Sequence, residues 1–350
     1  MIEVGYVIDG HPLVVPSKIE ALEIGKRLGR KPRFYYFDSV FEAVDWKSEP
    51  PESLERLYRE RAQQLRDQYS KISLFFSGGF DSTNVLETFV SNGIHLDEVV
   101  VMGAFSCDPE SGSDENQNAE AYKNAFPLLG RLGLGSTKVT VMDYKRALER
   151  PMYSDGTWVY QYGSNVSPWN WMFSSPDNFG TTEGKPSLLL FGGDKPNIVK
   201  LENGSHALNF MDKSHLAYGG CVNWRDGSTQ MRNFYSDVDS HKIMRKQCHA
   251  VLKRVANLRA TGNMFTPFGS PYYEAFVASV IYRLENSLVA KSPKSKSHIF
   301  SSRDNHLFKG PPSEARSVFL QGVGEIKNLL GEKWHDIFNA PLRSRYYFLD

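Results

Sequence analysis

Four short apolar runs alternate with stretches of helical periodicity in the middle of the chain, and this alternation limits the fold more than any other feature. The runs are 71–76 (KISLFF), 98–103 (EVVVMG), 138–143 (KVTVMD) and 187–191 (SLLLF). Helix-like stretches lie at 83–91, closed by Asn92-Gly93, and at 114–132, interrupted at Pro127. Another precedes the first run at 53–69, with Leu54, Leu57, Tyr58 and Leu65 near one face. Strands separated by helices predict an α/β fold, an open parallel sheet with flanking helices. In such a sheet a ligand sits beyond the carboxyl ends of the strands.

The rest of the chain reads as additions to that sheet. The first fifty residues hold an apolar run at 2–8, a helix at 18–28 and an aromatic strand at 33–37. Glu49-Pro50-Pro51-Glu52 closes this part. The expected organisation is a small N-terminal α+β subdomain over 1–50, a main domain over 51–290, and a basic loop with a helical C-terminal extension over 291–350. Residues 153–178, rich in Trp, Asn, Ser and Pro, predict an irregular loop. Asp226-Gly227 predicts a hairpin between 217–226 and 228–235. Helices are expected at 240–260, 272–286 and 314–330.

Ser77-Gly78-Gly79-Phe80-Asp81-Ser82 stands where the first run turns into a helix. Gly78 and Gly79 let a backbone approach a phosphate without a side chain in the way. The following helix points its free N–H groups and the positive end of its dipole at the same anion. Ser77 and Ser82 add hydroxyl donors. Asp81 is a poor neighbour for bare phosphate and makes sense as a magnesium ligand bridging to phosphate oxygens. The bland alternative is a tight strand-to-helix turn with a capping serine, but the whole six-residue string in this context is far more specific than two glycines. It is not a Walker A loop, which needs GxxxxGK[ST].

Composition excludes several classes. A chain of 350 residues can bury a sizeable core. A net charge of +1 gives no overall pull toward nucleic acid or an anionic membrane. Cys107, Cys221 and Cys248 are odd in number, far apart and without a CxxC pair, which argues against a disulfide framework or a structural zinc and fits a reducing cytoplasm. The first ten residues lack the pattern of a signal peptide, and no run of about 18 apolar residues predicts a membrane span. The nine histidines form no HExxH or HxxxH arrangement. Lys291, Lys294, Lys296, His298, Arg303, His306 and Lys309 form a basic stretch that can meet nucleotide or nucleic-acid phosphates, although such runs are more often solvated loops. Trp158, Trp169 and Trp171 are candidates to line a pocket, with packing the commoner use.

The glycine loop resembles the SGGxDS hallmark of the PP-loop ATP pyrophosphatases, and the chain looks most like the synthetase domain of asparagine synthetases. The likeness covers roughly residues 52 to 285. It rests on that loop, on the helical stretch before it, on Ser113-Asp114-Glu115 with Ala119 and Tyr122, on Leu190-Phe191-Gly192-Gly193-Asp194-Lys195-Pro196, and on Thr266-Pro267-Phe268-Gly269-Ser270-Pro271-Tyr272. The resemblance implies an ATP-dependent ligase that grips the pyrophosphate part of ATP and passes AMP to a carboxylate or carbonyl oxygen. Amide or C–N bond formation with ammonia or an amine then follows. It also implies that Asp194 is a second magnesium ligand and that Met102 and Gly103 border the adenine. Lys195 would neutralise charge on the departing pyrophosphate.

The chain departs from that family at several points. No glutaminase half is expected from these residues, Phe191 stands where the family has a glutamate, Lys195 replaces the second residue of an Asp-Glu pair, and Ser270 replaces an aspartate. The partners implied are therefore a small-molecule or nucleotide acceptor and a separate source of ammonia or amine. Two other readings stay open. One is a PP-loop enzyme that modifies a nucleic-acid base, for which the isolated cysteines remove the usual thiolase chemistry. The other is a non-catalytic ATP-binding module.

Overall fold

The computed structural model describes residues 4–103, 105, 118–143, 155–162, 186–193, 195–212, 229–262, 267–270, 272–282 and 312–350. The chain opens with β1 (Val4–Val7), α1 (Lys18–Leu28), β2 (Arg33–Tyr36) and a single turn, α2 (Asp38–Phe41). Then come α3 (Leu54–Gln68), β3 (Lys71–Phe75), α4 (Phe80–Ser91) and β4 (Glu98–Gly103). A π-helical turn (Ala121–Ala125) runs into α5 (Phe126–Arg131), followed by β5 (Lys138–Asp143), α6 (Trp158–Tyr162) and β6 (Ser187–Phe191). Next are β7 (Asn197–Lys200), β8 (His206–Asn209) and β9 (Thr229–Asn233). The chain finishes with α7 (His241–Ala260), α8 (Tyr273–Ile281), α9 (Glu314–Leu330), α10 (Trp334–Asn339) and β10 (Tyr347–Phe348).

Five strands form one sheet in the order β5-β4-β3-β6-β9, and every neighbouring pair is parallel. The class is therefore α/β, as the alternation predicts. Strands of a parallel sheet are covered on both faces, so their sequences run apolar rather than alternating. β3, β4 and β6 obey this: Ile72, Leu74, Val99, Val101, Leu188 and Leu190 join the main core, while Phe75, Val100, Leu189 and Phe191 form a cluster on the opposite face with Met231 of β9. The expected hairpin fares differently. Its second arm contains β9, which pairs in parallel with β6 as the fifth strand of the sheet; its first arm lies outside the described residues.

The topology matters more for function than the strand count. From β3 the chain moves to β4 and then β5, and it later returns to place β6 on the other side of β3. The order thus reverses between β3 and β6, and a crevice beyond the carboxyl ends of two such strands is where open α/β sheets bind ligands.

Helix ends follow local chemistry. Ser17 caps α1 and Gly29 closes it in the left-handed region at φ 64°. Ser53 caps α3, which buries Leu57, Tyr58, Ala62 and Leu65. α4 begins at Phe80, three residues earlier than its periodicity suggests, because Gly79 already serves as its N-cap.

The first fifty residues share a core with the end of the chain. β1 and β2 pair antiparallel, and the Phe34 N–H donates to the Arg343 carbonyl at 3.1 Å. The Phe41 ring stacks on Phe210 with centroids 5.0 Å apart and also meets Tyr347. Below this aromatic group, Lys18 and Asp212 form an ion pair of 2.8 Å with both side chains wholly buried. The Tyr6 hydroxyl donates to Asp212 Oδ2 at 3.2 Å and the Leu342 N–H to Oδ1 at 2.9 Å. A buried pair tolerates its surroundings only when its remaining lone pairs are satisfied. Tyr6→Phe is expected to lower stability by about 1.5–3 kcal/mol, read from urea denaturation, because it removes a donor to a buried carboxylate and leaves the ion pair in place. Among the described residues no helix is long and apolar enough to cross a membrane.

Candidate functional site

The loop after β3 is built so that only glycine fits at its centre. Gly78 has φ 81°, a conformation that side-chain-bearing residues rarely adopt. A Cβ there would stand 2.5 Å from the Ala125 backbone nitrogen and 2.9 Å from the Asn124 Cβ, so the loop lies directly on the π-helical turn. A Cβ on Gly79 would stand 2.9 Å from Glu120 Oε1 and 3.2 Å from Ser77 Oγ. The two serines hold the crook closed: the Ser77 N–H donates to Ser82 Oγ at 3.3 Å, and the Gly79 N–H donates to Ser77 Oγ at 3.1 Å.

α4 opens without a side-chain cap at Gly79. Its first backbone hydrogen bond to the loop runs from the Thr83 N–H to the Gly79 carbonyl at 3.0 Å. The N–H groups before Thr83 in that turn have no intrahelical acceptor, which is the general condition of a helix start. Together with the positive end of the dipole they favour an anion at this spot.

The loop after β6 lies against the first one. A Cβ on Gly192 would stand 2.8 Å from the Ser82 nitrogen, so the two loops touch backbone to backbone. This contact places Lys195, whose ammonium donates to Asp81 Oδ2 at 2.9 Å. Lys195 is 11% and Asp81 22% exposed at the side chain, so the pair sits at the edge of solvent. The other carboxylate oxygen is also engaged: the Tyr282 hydroxyl donates to Asp81 Oδ1 at 2.5 Å. The Tyr235 hydroxyl donates to the Asp81 carbonyl at 2.9 Å and accepts from Asn84 Nδ2 at 2.8 Å.

These phenols are held in the neutral form. Burial, and then the Asp81 charge, push the Tyr282 hydroxyl well above its ordinary pKa. Burial does the same to Tyr235, with Tyr58 and Asp81 adding to the effect, and to Tyr58, with Asp81 adding to it. None of the three can serve as a base near neutral pH; each is a donor or a packing group.

The structure brings Ser77, Gly78, Gly79, Asp81, Ser82 and Lys195 together, as the sequence motifs suggest. Met102 and Gly103 close β4, the neighbour of β3, on the same carboxyl edge. Met102 is half-buried among apolar side chains, and a Cβ on Gly103 would stand 2.6 Å from the Phe105 ring and 2.7 Å from Asn118 Oδ1. Asp194 lies outside the described residues, as do Trp169, Trp171, Cys107, Cys221 and the basic stretch 291–309. Trp158 packs in the core: its ring stacks on Phe319 of α9 with centroids 5.3 Å apart and is 2% exposed. Cys248 is buried in α7, and burial pushes its thiol far above the usual range, so it is inert as a nucleophile.

Sequence reasoning did not single out Glu120, Tyr235 or Tyr282. Glu120 stands beside the expected acidic segment, a weak signal. Tyr235 and Tyr282 sit in apolar surroundings that read as core, and nothing local marks them. Among the described residues no group of three His, Cys, Asp or Glu side chains gathers to hold a metal. Magnesium does not require one, since it binds through one or two carboxylates together with phosphate oxygens and water. The donor set fits such an ion: Asp81 presents a hard oxygen at the loop, and the Lys195 ammonium already sits as a cation against it.

A comparison with protein-family models finds no match for this chain, and neither does a comparison with curated proteins.

Proposed function

We propose that this chain is a PP-loop ATP pyrophosphatase acting as an AMP-forming ligase, with ATP as substrate and magnesium as its ion. One observation carries the reading. The glycine loop with its open helix start and the Lys195 ammonium meet at Asp81, between the two strands where the sheet order reverses. That is an anion site with a fixed cation and a fixed carboxylate beside it, in the crevice where such sheets bind ligands.

In this reading the backbone N–H groups at the start of α4 and the hydroxyls of Ser77 and Ser82 hold the β- and γ-phosphates. The acceptor, a carboxylate or carbonyl oxygen, attacks the α-phosphorus. A bond forms between that oxygen and phosphorus, and the bond from phosphorus to the bridging oxygen breaks, releasing pyrophosphate. Lys195 takes up the charge that grows on the departing group, and such preorganised charge is the largest catalytic contribution available to a site of this kind. A magnesium ion held by Asp81 and the phosphates would supply further neutralisation of the same charge. Met102 and Gly103 would border the adenine. Ammonia or an amine then displaces AMP from the activated acceptor.

The test is to incubate the protein with ATP and Mg²⁺ against a panel of carboxylate acceptors, with ammonia or amines, and to measure pyrophosphate and AMP. Acceptor-dependent formation of both supports the ligase. ADP in place of AMP excludes it, and tight ATP binding without turnover on a broad panel points to the module. In the active system Lys195→Ala is expected to lower the rate of pyrophosphate release at saturating ATP by about a hundredfold, the usual effect of removing one charge-stabilising donor. A change confined to the KM for ATP would show that Lys195 binds ground state and transition state equally and adds nothing to the chemical step.

A further inference from the structure

The Asp81 carboxylate is tied from behind by a residue 201 positions away. Tyr282 directly follows α8 as its C-cap, and its own N–H closes the helix on the Ala278 carbonyl at 3.1 Å. Its ring lies 5.6 Å from that of Tyr235, which in turn lies 5.5 Å from that of Tyr58. The Tyr58 hydroxyl donates to the carbonyl of Ile281 at 3.0 Å and accepts from Gln247 Nε2 at 3.1 Å. α3, α7, α8 and the segment after β9 thus converge to fix the position of the Tyr282 hydroxyl. Tyr282 is 6% exposed.

The two oxygens of Asp81 are therefore not equivalent. Oδ1 accepts from a buried tyrosine that the fold holds in place, whereas Oδ2 accepts from a lysine at the edge of solvent. A tyrosine hydroxyl has one proton to give, and here it goes to Oδ1. A lysine ammonium sits on a flexible stem with three rotatable donors and can exchange partners.

We propose that Tyr282 is the positioning residue of the phosphate loop: it commits Asp81 Oδ1 to the protein and so leaves Oδ2 as the working oxygen for a magnesium ion. In the free chain Lys195 pairs with Oδ2; Asp81 would hold a magnesium ion through that oxygen, and the Lys195 ammonium, released from it, would be free to meet a phosphate oxygen. This inference rests on the phosphate-loop reading above.

The test is Tyr282→Phe, which keeps the ring in the core. Calorimetry follows the binding of a non-hydrolysable ATP analogue over a series of Mg²⁺ concentrations, beside a thermal melt. The Mg²⁺ concentration for half-maximal binding is expected to rise about tenfold, the size of effect seen when a hydrogen bond to a charged group is lost. Affinity without Mg²⁺ should stay close to that of the parent, and the protein should still melt cooperatively, at a midpoint lowered only by the loss of one hydrogen bond. If the parent binds the analogue with Mg²⁺ and Tyr282→Phe shows the same Mg²⁺ dependence, the positioning role is wrong while the phosphate-loop reading stands. A loss that appears equally without Mg²⁺, or only with a collapse of the melt, assigns Tyr282 to structure and overturns the proposal. If the parent binds no analogue at any Mg²⁺ concentration, the phosphate-loop reading fails and this inference with it.

Discussion

Asp81→Ala is expected to remove ATP-dependent pyrophosphate release, a fall of about a thousandfold or more, in a protein that still unfolds cooperatively. The expectation follows from how many functions meet at one carboxylate. Asp81 would hold the ion that balances the triphosphate, it fixes Lys195 through a 2.9 Å ion pair, and it accepts from Tyr282. Alanine ends all three at once. The stability effect should be moderate, led by the buried Tyr282 hydroxyl, which loses its acceptor at a cost of about 1–3 kcal/mol. The pair is partly exposed, so the ionic contribution is screened, and the loss of an acidic residue from the first turn of α4 costs about 0.3–1 kcal/mol. Asp81→Asn separates shape from charge. Its amide keeps an acceptor for Tyr282 but turns a donor toward Lys195, so its rate should fall nearly as far as that of alanine. A coupled pyrophosphate assay and circular-dichroism melts check both variants. Turnover by Asp81→Ala within tenfold of the parent would remove Asp81 from the mechanism.

Much of this site is legible in the sequence because its parts are local. The strands at Glu98–Gly103 and Ser187–Phe191 begin and end where the apolar runs do, since a buried parallel strand needs no alternation to reveal it; Lys138–Asp143 also matches its run, although its Val139 and Val141 are exposed. α1 has the expected bounds because Ser17 and Gly29 mark its ends. The glycine loop declares itself through backbone freedom and position. What sequence conceals is arrangement at long range. Thr229–Asn233 (TQMRN) carries an alternating burial pattern and follows a turn dipeptide, so the sequence offers it as a hairpin arm; its parallel pairing with β6 is visible only in the fold. The π-helical turn under the loop depends on backbone bonds that no residue type encodes uniquely. Tyr282 looks like any aromatic in an apolar helix until the fold sets its hydroxyl on Asp81.

Gly78→Ala is expected to destabilise the protein by roughly 2–5 kcal/mol and to abolish nucleotide binding, because two penalties coincide there. The first is conformational: φ is 81°, and a Cβ in the left-handed region costs about 1–2 kcal/mol. The second is steric. The added carbon would stand 2.5 Å from the Ala125 nitrogen and 2.9 Å from both the Ala125 Cα and the Asn124 Cβ. The obstructing atoms are mostly backbone of a helical turn, which cannot swing aside as a long side chain would, and overpacking of this kind costs about 1–3 kcal/mol or more. Relief requires the loop and the π-helical turn to separate. That movement would carry Gly79 and the start of α4 out of register with Lys195. Gly93→Ala provides the control. Gly93 also has a positive φ, 64°, but nothing lies within 4 Å of the Cβ it would gain. It should show the conformational penalty alone, about 1–2 kcal/mol, with ATP binding intact. Paired denaturation curves and nucleotide titrations decide the matter. Equal losses in the two variants would mean that the loop does not rest on the turn beneath it, and that the grip on phosphate is not set by that contact.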